Sequence, residues 1–284
     1  MTEITAHHGL FKDTSLHVDD TGGPGRPVVL IHGWPLSGEA FQAQVPALQK
    51  AGYRVITYDR RGFGRSDKPA AGYEYDTLTE DLHALLEQLE LDDVTLVGFS
   101  MGGGEVARYF SLYGAERLRS VVFASAVPPF MMQSDDNPKG PLTKDAAARM
   151  TADLTEDEDD FYGGFTREFF SVNGEIKVTE QQRQDAIALC EQADKKAALA
   201  CMSAFGNTDF RDDLPRVTVP VLVLHGDGDL HGDGDATVPF GGSGQHTHAT
   251  LPGSELHVIA GAPHGCNVSH PDEWNETLIR FLVR

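Results

Sequence analysis

The sequence predicts a doubly wound α/β domain with a mostly parallel sheet and a helical cap inserted late in the chain. Three observations predict it. Short, apolar, β-branched runs recur without alternation, the pattern of strands buried on both faces. Amphipathic helical stretches separate them. Between about Pro128 and Pro220 that rhythm breaks into helix formers with few strand signals.

The elements follow in chain order. Residues 1–20 alternate apolar and polar around Gly9, which predicts an antiparallel hairpin. The apolar runs are Val28–Ile31, Val55–Tyr58, Val94–Val97, Val121–Ala124, Val221–Leu224 and Leu256–Ile259. Phe41–Gln49 reads as a helix ended by Gly52. Thr77-Leu78-Thr79-Glu80 reads as a capping box, opening a helix with Leu78, Leu82, Leu85, Leu86 and Leu89 on one stripe. Asp185–Ala204 is Ala-rich and helical in pattern. Pro271 at a first helical position precedes Trp274, Leu278, Phe281 and Leu282 on one face. Residues 1–127 and 213–284 therefore form the core, and 128–212 a cap over the sheet's carboxyl edge. The acidic run Glu156–Asp160 reads as a solvated helix start or loop, with a cation site as the sharper alternative.

Composition narrows the function classes. The 284 residues carry 23 Lys and Arg against 43 Asp and Glu, a formal charge of −20. Phosphate contacts need clustered cations, so neither nucleic acid nor an anionic membrane is an expected partner. At 40% hydrophobic residues the chain can bury a core, unlike a disordered acidic tail. Asp outnumbers Glu by 26 to 17, and Lys is scarce at 8, a balance that would suit high salt or ordinary solubility. The longest largely apolar run, Val121–Met132, is too short for a bilayer and holds two prolines. Cys190, Cys201 and Cys266 form no CxxC pair, and their odd number argues against a disulfide framework. No cationic start or apolar segment opens the chain, so the cytoplasm is the expected compartment.

The chemistry begins at Gly98-Phe99-Ser100-Met101-Gly102, between an expected strand and a helical stretch from Gly103 to Tyr113. That strand–turn–helix context makes it a nucleophile elbow, with Ser100 at a helix N-terminus where an oxyanion is favoured. A serine nucleophile needs a base, and the base needs an orienting acid. His264 follows the last strand in a Gly-Ala-Pro-His-Gly loop and is the expected base. His270 precedes Pro271 and reads as a helix-start residue, and His257 lies within a strand.

The acid should follow the preceding strand. There Leu224-His225-Gly226-Asp227-Gly228-Asp229 is repeated at once as Leu230-His231-Gly232-Asp233-Gly234-Asp235. Four aspartates compete for one role. Asp235 is the expected acid, because it keeps Asp-Ala-Thr-Val-Pro contiguous with the chain leading to His264. Asp229 would need six extra residues looped out downstream. The duplicated segment could also be a metal loop, but it lacks the EF-hand ligand pattern and the many copies of a calcium β-roll. A duplicated surface loop is the preferred reading.

An oxyanion hole needs two preorganised N–H donors. Met101 N–H follows the nucleophile, and Trp34 N–H comes from His32-Gly33-Trp34-Pro35 after the first apolar run. Pro35 has no N–H, so it either stiffens the turn or sets the direction of the Trp34 carbonyl. His32 reads as a structural loop histidine rather than a second base.

Together these residues resemble the α/β-hydrolase superfamily. A narrower set, Tyr58–Gly64, Gly98–Glu105, Asp209–Leu214 and Asp235–Phe240, is similar to the cofactor-free haloperoxidases, or perhydrolases, and related arylesterases. The family spacing of about thirty residues between acid and His favours Asp235, 29 residues before His264, over Asp229 at 35. Two departures stand out: the tandem copy beside the acid, and Gly241-Gly242 after Phe240 where the family has Glu.

The resemblance implies hydrolysis of small carboxylic esters through an acyl-enzyme on Ser100. It further implies peracid formation when hydrogen peroxide replaces water, with no haem, metal or other cofactor. Pro35 matches the proline of perhydrolase members. Members of the family often form homo-oligomers. Lactone or lactam substrates are the nearest alternative, and a non-catalytic binding protein on the same fold is a further one.

Overall fold

The computed structural model describes residues 2–6, 13–230 and 237–284, with the side chains of residues 229 and 230 excepted. Among the described residues ten strands form: β1 (Thr2–Ala6), β2 (Thr14–Asp20), β3 (Pro27–Ile31), β4 (Arg54–Tyr58), β5 (Val94–Phe99), β6 (Leu118–Ala124), β7 (Ser171–Val172), β8 (Glu175–Ile176), β9 (Val221–Gly226) and β10 (Glu255–Ile259). Eight of them build one sheet in the order β1-β2-β4-β3-β5-β6-β9-β10, and β7–β8 is a separate hairpin. From β4 to β10 every pairing is parallel. The β1–β2 and β2–β4 pairings are antiparallel, and the turn around Gly9 lies outside the described residues.

All six apolar runs fall in parallel strands. Val28 to Ile31 and Val94 to Phe99 are wholly buried, as double-sided cover requires. β10 differs. It is the edge strand, and Leu256 stays 39% exposed.

Helices α1 (Gln44–Lys50), α2 (Tyr75–Gln88), α3 (Gly102–Tyr113), α8 (Gly244–Thr250), α9 (Cys266–Ser269) and α10 (Pro271–Leu282) accompany the sheet. Strand order reverses at β3, so right-handed crossovers put α1 on the face opposite α2 and α3. The crevice at such a reversal, beyond the carboxyl ends of the strands, is where ligands bind in open α/β sheets. Here the loops leaving β3 and β5 meet at that point.

Three helix boundaries depart from the sequence reading. α1 starts at Gln44 and not at Phe41, which ends a separate 3-10 turn, Gly38–Phe41. α2 starts at Tyr75, with Thr77 Oγ1 hydrogen-bonded to Glu74, so Thr77 lies inside the first turn and makes no capping box. The Ala-rich stretch is two helices, α6 (Glu180–Cys190) and α7 (Lys195–Asn207), with Asp194 capping the second.

The cap segment also holds α4 (Lys144–Glu156) and α5 (Glu158–Phe169). The acidic run falls at the α5 N-terminus. Asp157 accepts from Asp160 N–H, and Glu158, Asp159 and Asp160 occupy the first turn, where carboxylates complement the helix dipole. All three cysteines are buried and none forms a disulfide among the described residues. Among the described residues no helix is long and apolar enough to cross a membrane.

Candidate active site

Ser100 stands at the tight turn between β5 and α3, with φ at +53°. That left-handed backbone is costly for a residue with a side chain and needs support from its surroundings. The support is close backbone packing. A Cβ on Gly98 would lie 2.6 Å from Gly102 O, and one on Gly102 would lie 2.5 Å from Ile31 O. Ser100 N–H donates to Ala124 O at 2.9 Å, and Val127 N–H donates to Ser100 O at 3.2 Å. The serine is thus bracketed by β3 on one side and by β6 on the other.

His264 is carried by the loop between β10 and α9, and its Nε2 lies 3.0 Å from Ser100 Oγ. Both residues are buried, at 2% and 5% exposure. Rings flank the imidazole: Phe169 edge-on at 5.1 Å and Phe99 tilted at 5.3 Å. Gly265 N–H donates to Phe169 O, tying the loop to the end of α5. The competing histidines are elsewhere. His257 bonds Glu273 on the surface side, and His270 bonds Ser269 at the α10 start.

The loop after β3 lies directly over the nucleophile. A Cβ on Gly33 would come within 3.0 Å of Ser100 Cβ and of the Phe99 ring. Trp34 follows, with its indole N–H donating to Ala198 O of α7 at 2.9 Å and its ring edge-on to Phe161, Phe165 and Phe205. The Trp34–Pro35 bond is cis. Met101 is the N-cap of α3, so its N–H belongs to the set with no intrahelical partner. Tyr75 OH donates to Met101 O at 3.0 Å. The loop bearing Trp34 and the turn bearing Met101 thus both lie beside Ser100, one from each side of the strand reversal.

The acid is less fully drawn. Asp235, the expected residue, lies outside the described residues, as do His231 to Ala236 altogether. Asp227–Leu230 is a single 3-10 turn directly after β9. It is tied to the chain just before His264: Gly228 N–H donates to Ala262 O at 2.8 Å, and Gly261 N–H donates to Asp227. The segment returns at Val238, whose carbonyl accepts from His225 Nε2 at 3.0 Å.

Sequence reading missed a buried charged group beneath the site. Arg60 bonds Glu105 of α3 through Nε at 2.7 Å and also through Nη2, and Tyr58 OH donates to the other Glu105 oxygen at 2.7 Å. All three side chains are enclosed. A buried Arg–carboxylate pair costs desolvation that only full hydrogen bonding offsets, and that cost is the available signal of a role at Glu105 and Arg60. Above the site, a cavity of about 400 Å³ is lined by Trp34, Met131, Met150, Phe161, Phe165 and Phe205. Arg149, Asp153, Asp160 and Glu168 stand at its rim.

Fold and site together define an α/β hydrolase with a serine nucleophile. The α/β-hydrolase-fold family model matches residues 26–271, and the chain belongs to that family. Among its relatives, the non-heme chloroperoxidase CPO-A1 of Kitasatospora aureofaciens is 43% identical over 92% of this chain and 93% of its own. The bifunctional esterase/perhydrolase DCH of Acinetobacter calcoaceticus is 34% identical over 93% and 94%. The crystal structure of a bromoperoxidase from Bacillus anthracis superposes with a TM-score of 0.93, at 48% identity, over 100% of this chain and 99% of that one.

Proposed function

We propose that this chain is a serine hydrolase of small carboxylic esters that also performs perhydrolysis, in the manner of the cofactor-free haloperoxidases. The single observation that carries the reading is the 3.0 Å contact of His264 Nε2 with Ser100 Oγ at a buried nucleophile elbow. His264 takes the Ser100 proton as Oγ attacks the ester carbonyl. The tetrahedral oxyanion accepts from Trp34 and Met101 N–H. Collapse breaks the C–O bond, and His264 protonates the departing alcohol. Water, deprotonated by His264, then attacks the acyl-enzyme and frees the acid and Ser100. Hydrogen peroxide in place of water releases a peracid, which oxidises halide in solution.

The orienting acid comes from the duplicated segment. Asp235 carries the family spacing to His264. The described backbone supports Asp229, because its turn is hydrogen-bonded to Gly261 and Ala262, just before the base. We take Asp229 as the acid. Asp229→Asn should then lower kcat by about 10²–10⁴-fold while Asp235→Asn leaves it near wild type; the reverse ranking would restore Asp235.

Pro35 stands next to the Trp34 carbonyl, a position suited to accept a hydrogen bond from attacking peroxide. The 128–212 segment serves as the cap that walls the acyl or alcohol cavity. Buried cysteines outside any disulfide suit a reducing compartment such as the cytoplasm. Neutral small esters suit the acidic rim and net charge. A homo-oligomer is in keeping with the resemblance. The test is a p-nitrophenyl ester series of increasing acyl length, with and without peroxide, on wild type and Ser100→Ala. Hydrolysis and peracid formation should both vanish in the variant; retention of either would remove Ser100 from the mechanism.

A further inference from the structure

The Gly33–Trp34 peptide holds the donor that the proposed mechanism needs most, and the structure shows how it is aimed. This bond is trans, so its C=O and N–H point in opposite directions within one plane. Fixing the Gly33 carbonyl therefore fixes the Trp34 N–H. Two donors reach that carbonyl. Leu36 N–H lies 3.0 Å away and closes the turn. His32 Nδ1 lies 2.8 Å away on the other side.

The tautomer of His32 follows from its second nitrogen. Arg60 backbone N–H donates to His32 Nε2 at 2.9 Å, so Nε2 carries the lone pair and Nδ1 carries the hydrogen. The ring is wholly enclosed, and burial together with the Arg60 charge holds it neutral, well below the usual imidazole range. Arg60 is itself fixed. Its Nη2 donates to His32 O at 2.8 Å and to Glu105, which lies one turn beyond Met101 in α3. The group thus touches the loop bearing Trp34 and the helix bearing Met101.

We propose that His32, seated by Arg60 and Glu105, is a positioning residue that aims the Trp34 N–H at the oxyanion and keeps it in register with the Met101 donor. This rests on the reading of Ser100 as nucleophile and Trp34 N–H as oxyanion donor. It replaces the view of His32 as a merely structural loop histidine. Its contribution is realised in the transition state, because the ester carbonyl gains charge only there.

Two variants of similar polarity separate this role from packing. His32→Asn keeps an N–H at the Nδ1 position and gives up the acceptor for Arg60 N–H. His32→Gln keeps a polar atom at the Nε2 position and gives up the Nδ1 donor. The readouts are kcat and KM for p-nitrophenyl acetate, Ki for an aryl trifluoromethyl ketone whose hemiketal mimics the oxyanion, and Tm. His32→Gln should lose roughly 10²-fold in kcat and weaken the ketone by a similar factor, with KM within about threefold. His32→Asn should keep kcat and Ki within about tenfold of wild type even where its Tm falls as far. The proposal is overturned if kcat and Ki track Tm in both variants, or if His32→Gln leaves both within about threefold of wild type. A failure of the underlying reading looks different: wild type would then not bind the ketone, or Ser100→Ala would stay active.

Discussion

The nucleophile elbow and the acid loop both follow a parallel strand, yet they are built by opposite means. At the elbow, Gly98 and Gly102 let backbones approach until no Cβ fits, Gly33 lies close against the Ser100 and Phe99 side chains, and Ser100 takes a positive φ held from both sides. After β9, the chain duplicates six residues, and among the described residues the segment is tied at Asp227 and Gly228 on one side and at Val238 on the other. Close backbone contact tolerates almost no change. A loop tied at its ends tolerates insertion, because closure entropy grows only as the logarithm of length. The two parts of one catalytic site thus differ in how freely their sequence can drift.

The largest effect should fall at the elbow. Gly102→Ala places a methyl against Ile31 O, and it should cost about 1–3 kcal/mol of stability with most of the ester activity. Urea melts and kcat/KM together check it, and an unperturbed variant would break the contrast. Next comes the acid. Loss of activity in Asp229→Asn alone would show that the first copy of the repeat is the working one and that the second is the insertion.

That ordering bears on what was legible in the sequence. The six parallel strands, the strand–turn–helix setting of Ser100 and the approach of His264 to it were readable, because buried strands and a Gly-x-Ser-x-Gly turn leave local patterns. The split of the Ala-rich stretch at Glu191–Asp194 was not, since both halves share one helix propensity and the dividing signal is the single N-cap Asp194, whose carboxylate accepts from Ala197 N–H. The false capping box at Thr77 shows the same limit by one turn. The Arg60–Glu105–Tyr58 group was hidden too, because a buried ion pair looks like surface charge until the fold joins positions 45 residues apart. A tandem repeat gives two equally good local matches to one motif, and only their spacing to His264 distinguishes them in the sequence.

Smaller effects sharpen the contrast. Pro35→Leu should lower the ratio of perhydrolysis to hydrolysis, measured as peracid against total acid released. An unchanged ratio would remove Pro35 from peroxide selection. Deleting His231–Ala236, one copy's length of the duplicated segment, should change stability by less than about 1 kcal/mol by loop entropy. A large loss in denaturant melts would mean that the segment packs as firmly as the elbow.

The smallest effect is one of pH. His32 is neutral in the folded protein and titrates well below 6.5. Its unfolded form takes up a proton as pH falls through about 6.5, so the folded state loses stability below that pH and keeps it above. Tm should therefore fall less between pH 7 and 5 in His32→Asn than in wild type; parallel curves would contradict a buried neutral His32.

The central claim is that Ser100, with His264, forms the covalent intermediate. The most direct measurement is labelling with a fluorophosphonate probe followed by peptide mass analysis, on wild type, Ser100→Ala and His264→Ala. The account predicts one adduct on Ser100, none in Ser100→Ala, and labelling slowed by roughly 10³-fold or more in His264→Ala. An adduct on another residue, or ester hydrolysis persisting in the unlabelled Ser100→Ala variant, would contradict it.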